Sequence, residues 1–259
     1  MLKYCSIGSG SSGNSIFIEN DGIKLLIDAG FSCKKIEEKL KCIDRDINEI
    51  DALLITHEHT DHIQGAGIIS RKYDIPIYIT PESYAAGENK LGKIADKNLK
   101  LITKDFFLKD GIKVRPFDVM HDAERTIGYR LETECGKRMA ISTDIGYVSN
   151  TVREYFKEVD IMVIECNYDY NMLMKCSYPW DLKARVKSRN GHLSNNDAAR
   201  FIKDMYTERL RKVYLAHISK DSNNYDIVRN TVKEELLTNN IKLDFEIAMQ
   251  DKVTDVFEL

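Results

Sequence analysis

Three histidines and an aspartate crowd into the string THEHTDHIQG, residues 56 to 65: His57, His59, Asp61 and His62. The chain has six histidines, so half of them lie in this one segment. Imidazole nitrogen and carboxylate oxygen are ligands suited to zinc, manganese and iron. His57 and His59 are two apart, so extended backbone points them the same way. Asp61 and His62 are adjacent, so they diverge and can address a second centre. One short loop can therefore serve two divalent ions. Glu58 does not make a zincin helix, because Asp61 stands where HExxH needs its second histidine.

Further residues of the same chemical types stand just past apolar runs. Asp28 ends IKLLI, His121 follows VRPFDVM, Asp144 ends RMAIST, and His217 ends VYLA. Strand ends are rigid and open to solvent, which makes them the usual address of a site in a layered α/β fold.

The elements needed to position these residues are legible in the pattern. KYCSI and SIFIE read as strands around a Gly/Ser loop, GSGSSGN. NDG at 20–22 signals a hairpin turn, with IKLLID as the next strand. Ile36, Leu40 and Ile43 predict a helix over about 32–42. DALLIT and IPIYIT read as strands, with a helix from about 63 between them and another starting at PESYAAG. Between 100 and 143 the expectation is mostly strand: LKLIT, IKVRPFDV, TIGYRLET and KRMAIST. The second half alternates. VSNTVREYF, SNNDAARFIKDMYT (capped by Ser194 or Asn195) and 224–239 read as helices, and VDIMVIEC, RKVYLAHIS and KLDFEIAM as strands. Many strands with helices throughout predict an α/β (α+β) protein of face-to-face sheets covered by helices.

Bulk properties narrow the class. With 259 residues, 43% apolar and 31% charged, the chain is globular rather than disordered. One domain over 1–259 is expected. No apolar run approaches the ~18 residues of a membrane span. No secretory signal is read at the start, and the six cysteines form no CxxC pair, so free thiols in a cytoplasmic protein are expected. The net charge of −3 excludes a global attraction to nucleic acid or anionic lipid, so any phosphate-binding surface must be local.

The ordered set HxHxDH, a lone His, an Asp in TDxG and a late His resembles the metallo-β-lactamase-fold hydrolases, over nearly the whole chain. The resemblance implies a four-layer αββα sandwich with a dinuclear site between the sheets. It places His57, His59 and His121 on one metal, and Asp61, His62 and His217 on the other. Asp144 would bridge, and Asp28 would orient the histidine loop. Two divalent ions, zinc or manganese with iron admitted by the same donors, would activate the attacking water between them. Asp61 and His192 are the expected catalytic residues, with His192 either a proton donor or a phosphate clamp.

The branch is read from the remaining motifs. GHLSNNDAARF before LRKVYLAHISKDSNN is similar to the tRNA 3′-end processing enzymes, and VIECNYD (163–169) sits where those enzymes place an acidic motif. Only 72 residues separate Asp144 from His217, too few for the inserted domain of the larger nucleases of this fold. SIGSGSSGNS and GHLSN together resemble the YycJ-like (WalJ-like) bacterial hydrolases, which implies DNA exonuclease chemistry. The stretch 175–192 carries Lys175, Lys183, Arg185, Lys187 and Arg189 against Asp181. Arg185, Lys187, Arg189 and Ser194 are therefore expected substrate contacts, because phosphate contacts supply most nucleic-acid affinity. Trp180 and Tyr178 are candidates to stack on a base. The rival expectations are a lactone or thioester hydrolase on the same metals and a regulatory protein with a vestigial site. A nucleic acid, DNA before RNA, is the expected partner. No membrane contact is expected, and the sequence names no protein partner.

Overall fold

Alternate residues of the central strands face opposite cores, and both cores are apolar, so these strands read as continuous hydrophobic runs. The computed structural model describes residues 1–109 and 111–259. Among them, fourteen strands form two seven-stranded sheets.

The first sheet contains β1 (Leu2–Gly8), β2 (Ser15–Asn20), β3 (Ile23–Ile27), β4 (Ala52–Leu54), β5 (Ile77–Ile79) and β6 (Leu99–Leu101). The second contains β7 (Phe106–Leu108), β8 (Ile112–Val119), β9 (Thr126–Thr133), β10 (Arg138–Ser142), β11 (Ile161–Glu165), β12 (Lys212–Ala216) and β13 (Asp244–Ile247). A last strand, β14 (Phe257–Glu258), returns to pair with β1 in the first sheet. The strand orders are β14-β1-β2-β3-β4-β5-β6 and β13-β12-β11-β10-β9-β8-β7. β3 to β6 run parallel, as do β10 to β13.

Three cores make the layers. Leu25, Ile27 and Leu54 meet Tyr129, Ile141, Val163 and Tyr214 between the sheets. Their neighbours in sequence face outward. Leu26 and Leu53 pack under α1 (Cys33–Lys41) and α3 (Ala66–Tyr73), on Ile36, Leu40 and Ile69. Met162, Ile164, Val213 and Leu215 pack under α5 (Asn150–Phe156), α8 (Asn195–Met205) and α9 (Tyr225–Thr238). The result is the expected αββα sandwich. No helix among the described residues is long and apolar enough to cross a membrane. All six cysteines are free.

The main elements lie where the pattern places them, with informative exceptions. The helix expected from about 63 is two helices, α2 (Thr60–Ile63) and α3, separated by Gly65. A Cβ on Gly65 would meet Phe31 O at 2.4 Å, and the Gly65 amide donates to Ala29 O, so the chain bends there. Asp61 and His62 therefore sit on a helical turn, not in a loop. The basic stretch at 175–192 also carries helix: α6 (Tyr170–Lys175) and α7 (Trp180–Val186) flank its start. They form an arm with its own small core of Tyr168, Leu173 and Val186. The pattern missed β7 and β14 as well, two short strands at sheet edges.

Candidate metal centre

The C-terminal ends of the parallel strands from both sheets open on one edge, and the ligand-type residues stand there. Asp28 follows β3, Thr56 and His57 follow β4, Asp144 follows β10, Glu165 ends β11 and His217 follows β12. Asp28, Asp144 and His217 have φ of 61°, 53° and 53°. Left-handed backbone at non-glycine residues costs of the order of 1 kcal/mol each, and it turns these side chains off the strand direction into a common space.

In that space the side chains form overlapping clusters. Ligand atoms of His57, His59 and His121 lie within 4.8 Å of one another, as do those of Asp61, His62 and His217. Asp144 lies between the two, with Oδ1 3.6 Å from His121 Nε2 and Oδ2 3.1 Å from His62 Nε2. Asp61 and His62, expected to diverge, converge instead: Asp61 Oδ2 is 3.4 Å from His62 Nε2 and 3.6 Å from His217 Nε2. Their helical turn and the reach of the imidazole bring them together.

Four imidazoles are oriented from behind at Nδ1. His62 Nδ1 donates to Asp28 Oδ2 at 2.7 Å, and Asp28 also accepts from the Thr56 amide and hydroxyl at 2.8 and 2.9 Å. His121 Nδ1 donates to Gly191 O at 3.0 Å. His217 Nδ1 and His192 Nδ1 both donate to Glu165 Oε1, at 2.6 and 2.8 Å. These bonds direct the free Nε2 atoms into the cavity. His57 Nε2, His217 Nε2 and Asp144 Oδ2 are buried without a hydrogen-bond partner among the described residues. Orphaned buried lone pairs are costly, and a cation satisfies them. The donor set thus fits divalent metal ions.

Electrostatics follow burial and proximity. Burial pushes His57 and His59 below the ordinary histidine range, keeping them neutral and able to ligate. Burial acts the same way on His62 and His217, but neighbouring carboxylates, Asp144 first, outweigh it and hold both well above that range. Burial opposes ionisation of Asp61 and Asp144, yet the imidazoles around them keep both carboxyls well below their ordinary values. The cavity favours positive charge at its centre.

A beta-lactamase superfamily domain matches residues 24–218. Exodeoxyribonuclease YycJ of Bacillus anthracis is 37% identical over 91% of this chain and 89% of its own length. Exodeoxyribonuclease WalJ of Streptococcus pneumoniae is 38% identical over 98% of this chain and 95% of its own. The chain belongs to the YycJ/WalJ-like family of metallo-β-lactamase-fold hydrolases. The crystal structure of YhfI from Bacillus subtilis shares this fold, with a TM-score of 0.72 at 17% identity over 98% of each chain. Membership makes the site that of a metal-dependent hydrolase.

Within this YycJ/WalJ-like chain, the seven expected ligand residues and Asp28 all converge, and His192 joins them through Glu165. The expected substrate contacts are placed differently from one another. Arg185 is ion-paired with Asp122, whose other oxygen lies 3.2 Å from His121 Nε2. Ser194 caps α8, its hydroxyl accepting from the Asp197 amide. Tyr178 ties the arm down by donating to Asp221 Oδ2 at 2.8 Å. Lys187 and Arg189 are exposed, with no carboxylate in ion-pair range among the described residues.

Sequence reasoning missed several residues. Glu165 lay unassigned inside the VIECNYD string. Asn14, in the Gly/Ser loop, donates from Nδ2 to Asp61 Oδ2 at 3.3 Å and lies 3.1 Å from His62 Nε2. Ser9 Oγ accepts from the His217 amide at 2.8 Å and donates to Asn14 Oδ1. Glu58 Oε1 accepts from the Glu124 amide, tying the histidine segment to the loop after His121.

Proposed function

We propose that this protein is a DNA exonuclease-like phosphodiesterase working with two divalent ions, zinc or manganese, in the cytoplasm. The observation that carries the reading is the buried Asp144, which reaches both ligand clusters: Oδ2 lies 3.1 Å from His62 Nε2, and Oδ1 lies 3.6 Å from His121 Nε2 and 3.4 Å from His217 Nδ1. His57, His59 and His121 would hold one ion, and Asp61, His62 and His217 the other, with Asp144 between them. Bound there, such ions supply Lewis acidity for activating water and neutralising phosphoryl charge near neutral pH. The family relatives named as exodeoxyribonucleases support a DNA substrate, as do the free cations of the arm. Residues 1–259 are taken as one domain, supported by a core that draws on both sheets.

The chain's own groups divide the remaining work. Asp61 and Asp144 set the charge of the cavity, while Asp28, Glu165 and Asn14 hold the ligands in register. His192 donates from Nδ1 to Glu165, which leaves Nε2 as the atom to protonate the leaving 3′-oxygen. Lys187 and Arg189 draw in the phosphate backbone.

The test is cleavage of 5′-labelled single- and double-stranded DNA and RNA with Mn²⁺ or Zn²⁺, and with chelator. Metal-dependent loss of DNA is expected. Lactone or thioester turnover without cleavage of any nucleic acid would overturn the reading. His192→Ala should lower turnover by about 10²–10⁴-fold at unchanged metal content. Loss of metal in that variant would make His192 a ligand instead of a donor.

A further inference from the structure

Two exposed aromatic rings, Trp180 on the arm before His192 and Tyr147 on the segment after Asp144, are each covered by a cation. The Lys187 ammonium lies 5.2 Å from the Trp180 ring centroid, and the Arg189 guanidinium 4.2 Å from that of Tyr147. Trp180 is 65% exposed and Tyr147 41%. Large exposed aromatics are costly to leave in water, and the cations that cover these two, Lys187 and Arg189, are only two residues apart in the chain. The cations are not neutralised either, since neither Lys187 nor Arg189 has a carboxylate in ion-pair range among the described residues.

The segments that carry these pairs are tied to the ligand residues. Tyr147 stands three residues after Asp144, and Arg189 three before His192. Between them the backbones touch: a Cβ on Gly146 would meet Arg189 O at 2.4 Å and Gly191 N at 2.6 Å. The Ile145 amide donates to Glu165 Oε2, and Gly191 O accepts from His121 Nδ1. Arg185, paired with Asp122, pins α7 to the same rim. The backbone carrying Tyr147 and Arg189 therefore stands beside the ligand residues, and α7, which begins at Trp180, is anchored to the segment that holds His121 and Asp122.

We infer that Trp180/Lys187 and Tyr147/Arg189 form a stacking platform for the bases of a single-stranded nucleic acid. The inference rests on the nuclease reading and names the form of nucleic acid this site admits. Each ring offers a π-face to any base, and each cation offers a partner to the adjoining phosphate. A paired duplex hides its base faces, so a single-stranded end gains the stacking and a blunt duplex does not. The arrangement reads no base edge and predicts little sequence preference.

Trp180 is the only tryptophan in the chain, so tryptophan emission reports on this position alone. The experiment titrates the metal-loaded protein with a phosphorothioate oligothymidylate, a blunt linear duplex without a loop and inorganic polyphosphate. Hydrolysis of ordinary DNA is measured in parallel. The single strand should quench the emission, with the duplex and polyphosphate leaving it nearly unchanged. Tyr147→Leu, which keeps the reporter, should weaken oligothymidylate binding by roughly tenfold, the loss of one base stack. No quenching at saturating oligothymidylate, equal quenching by polyphosphate, or unchanged affinity in Tyr147→Leu overturns the platform. DNA hydrolysis without quenching overturns it too, and leaves the nuclease reading standing. Quenching without hydrolysis does the reverse.

Discussion

Glu165 Oε1 accepts a hydrogen bond from His217 Nδ1 at 2.6 Å. The same oxygen accepts from His192 Nδ1, and Oε2 accepts from the Ile145 and Leu193 amides at 3.0 Å each. One fully buried carboxylate thus sets the tautomer of a ligand and of the proposed proton donor. Partners behind a metal-bound imidazole are worth about 10–100-fold in metal affinity or activity. Glu165→Gln keeps the shape and removes the charge, so its metal affinity should fall within that range while the fold persists. Titration with Mn²⁺ or Zn²⁺, alongside circular dichroism, checks this. Wild-type affinity in the variant would detach His217 from Glu165.

Asp28 serves His62 in the same way from the opposite sheet. Its φ of 61° is one that asparagine also tolerates, so Asp28→Asn preserves the backbone. The amide then presents N–H groups where His62 and Thr56 already donate, which forces the His62 proton to Nε2 and blocks ligation. The expected outcome is loss of about one metal equivalent. Asp28→Ala removes all three acceptor contacts and should lower stability by about 3 kcal/mol in urea unfolding.

Gly30 is a spacer between loops. A Cβ there would meet Asp61 O at 1.6 Å and Asn14 N at 2.5 Å, both backbone atoms that have no room to move. Gly30→Ala should therefore cost about 3 kcal/mol or more and reduce metal content by displacing Asp61. Gly136 makes the control. It has a φ of 77° and nothing within 4 Å of its Cβ position among the described residues, so Gly136→Ala should cost about 1–2 kcal/mol and leave metal binding unchanged. Equal effects in the two variants would refute the spacer role.

Metal removal should loosen the fold, because buried ligand atoms such as His57 Nε2 and His217 Nε2 lose their partner. Adding Mn²⁺ or Zn²⁺ at about a hundred times its Kd to chelator-stripped protein should add about 2.7 kcal/mol. For a chain of this size that raises Tm by roughly 5–10 °C. Differential scanning fluorimetry with and without chelator measures it, and an unchanged Tm would mean that the clusters hold no metal.

What the sequence determined by itself was local. HxHxDH is legible because its ligands are neighbours in the chain, and the strands because alternate burial on two faces writes an apolar run such as IMVIE. Asp28, Asp144 and His217 are legible for the same reason, each touching the end of such a run. The tertiary structure decided everything that depends on distant partners. Glu165 gains its role from residues 27 and 52 positions away, and Arg185 loses its free charge to an aspartate 63 positions away. The helices α6 and α7 span six and seven residues, too few for a periodic signal. Their importance comes from where Gly146 and Gly191 let them dock. A sequence specifies which side chains can bind a metal, but only the meeting of two sheet edges specifies that they face one cavity.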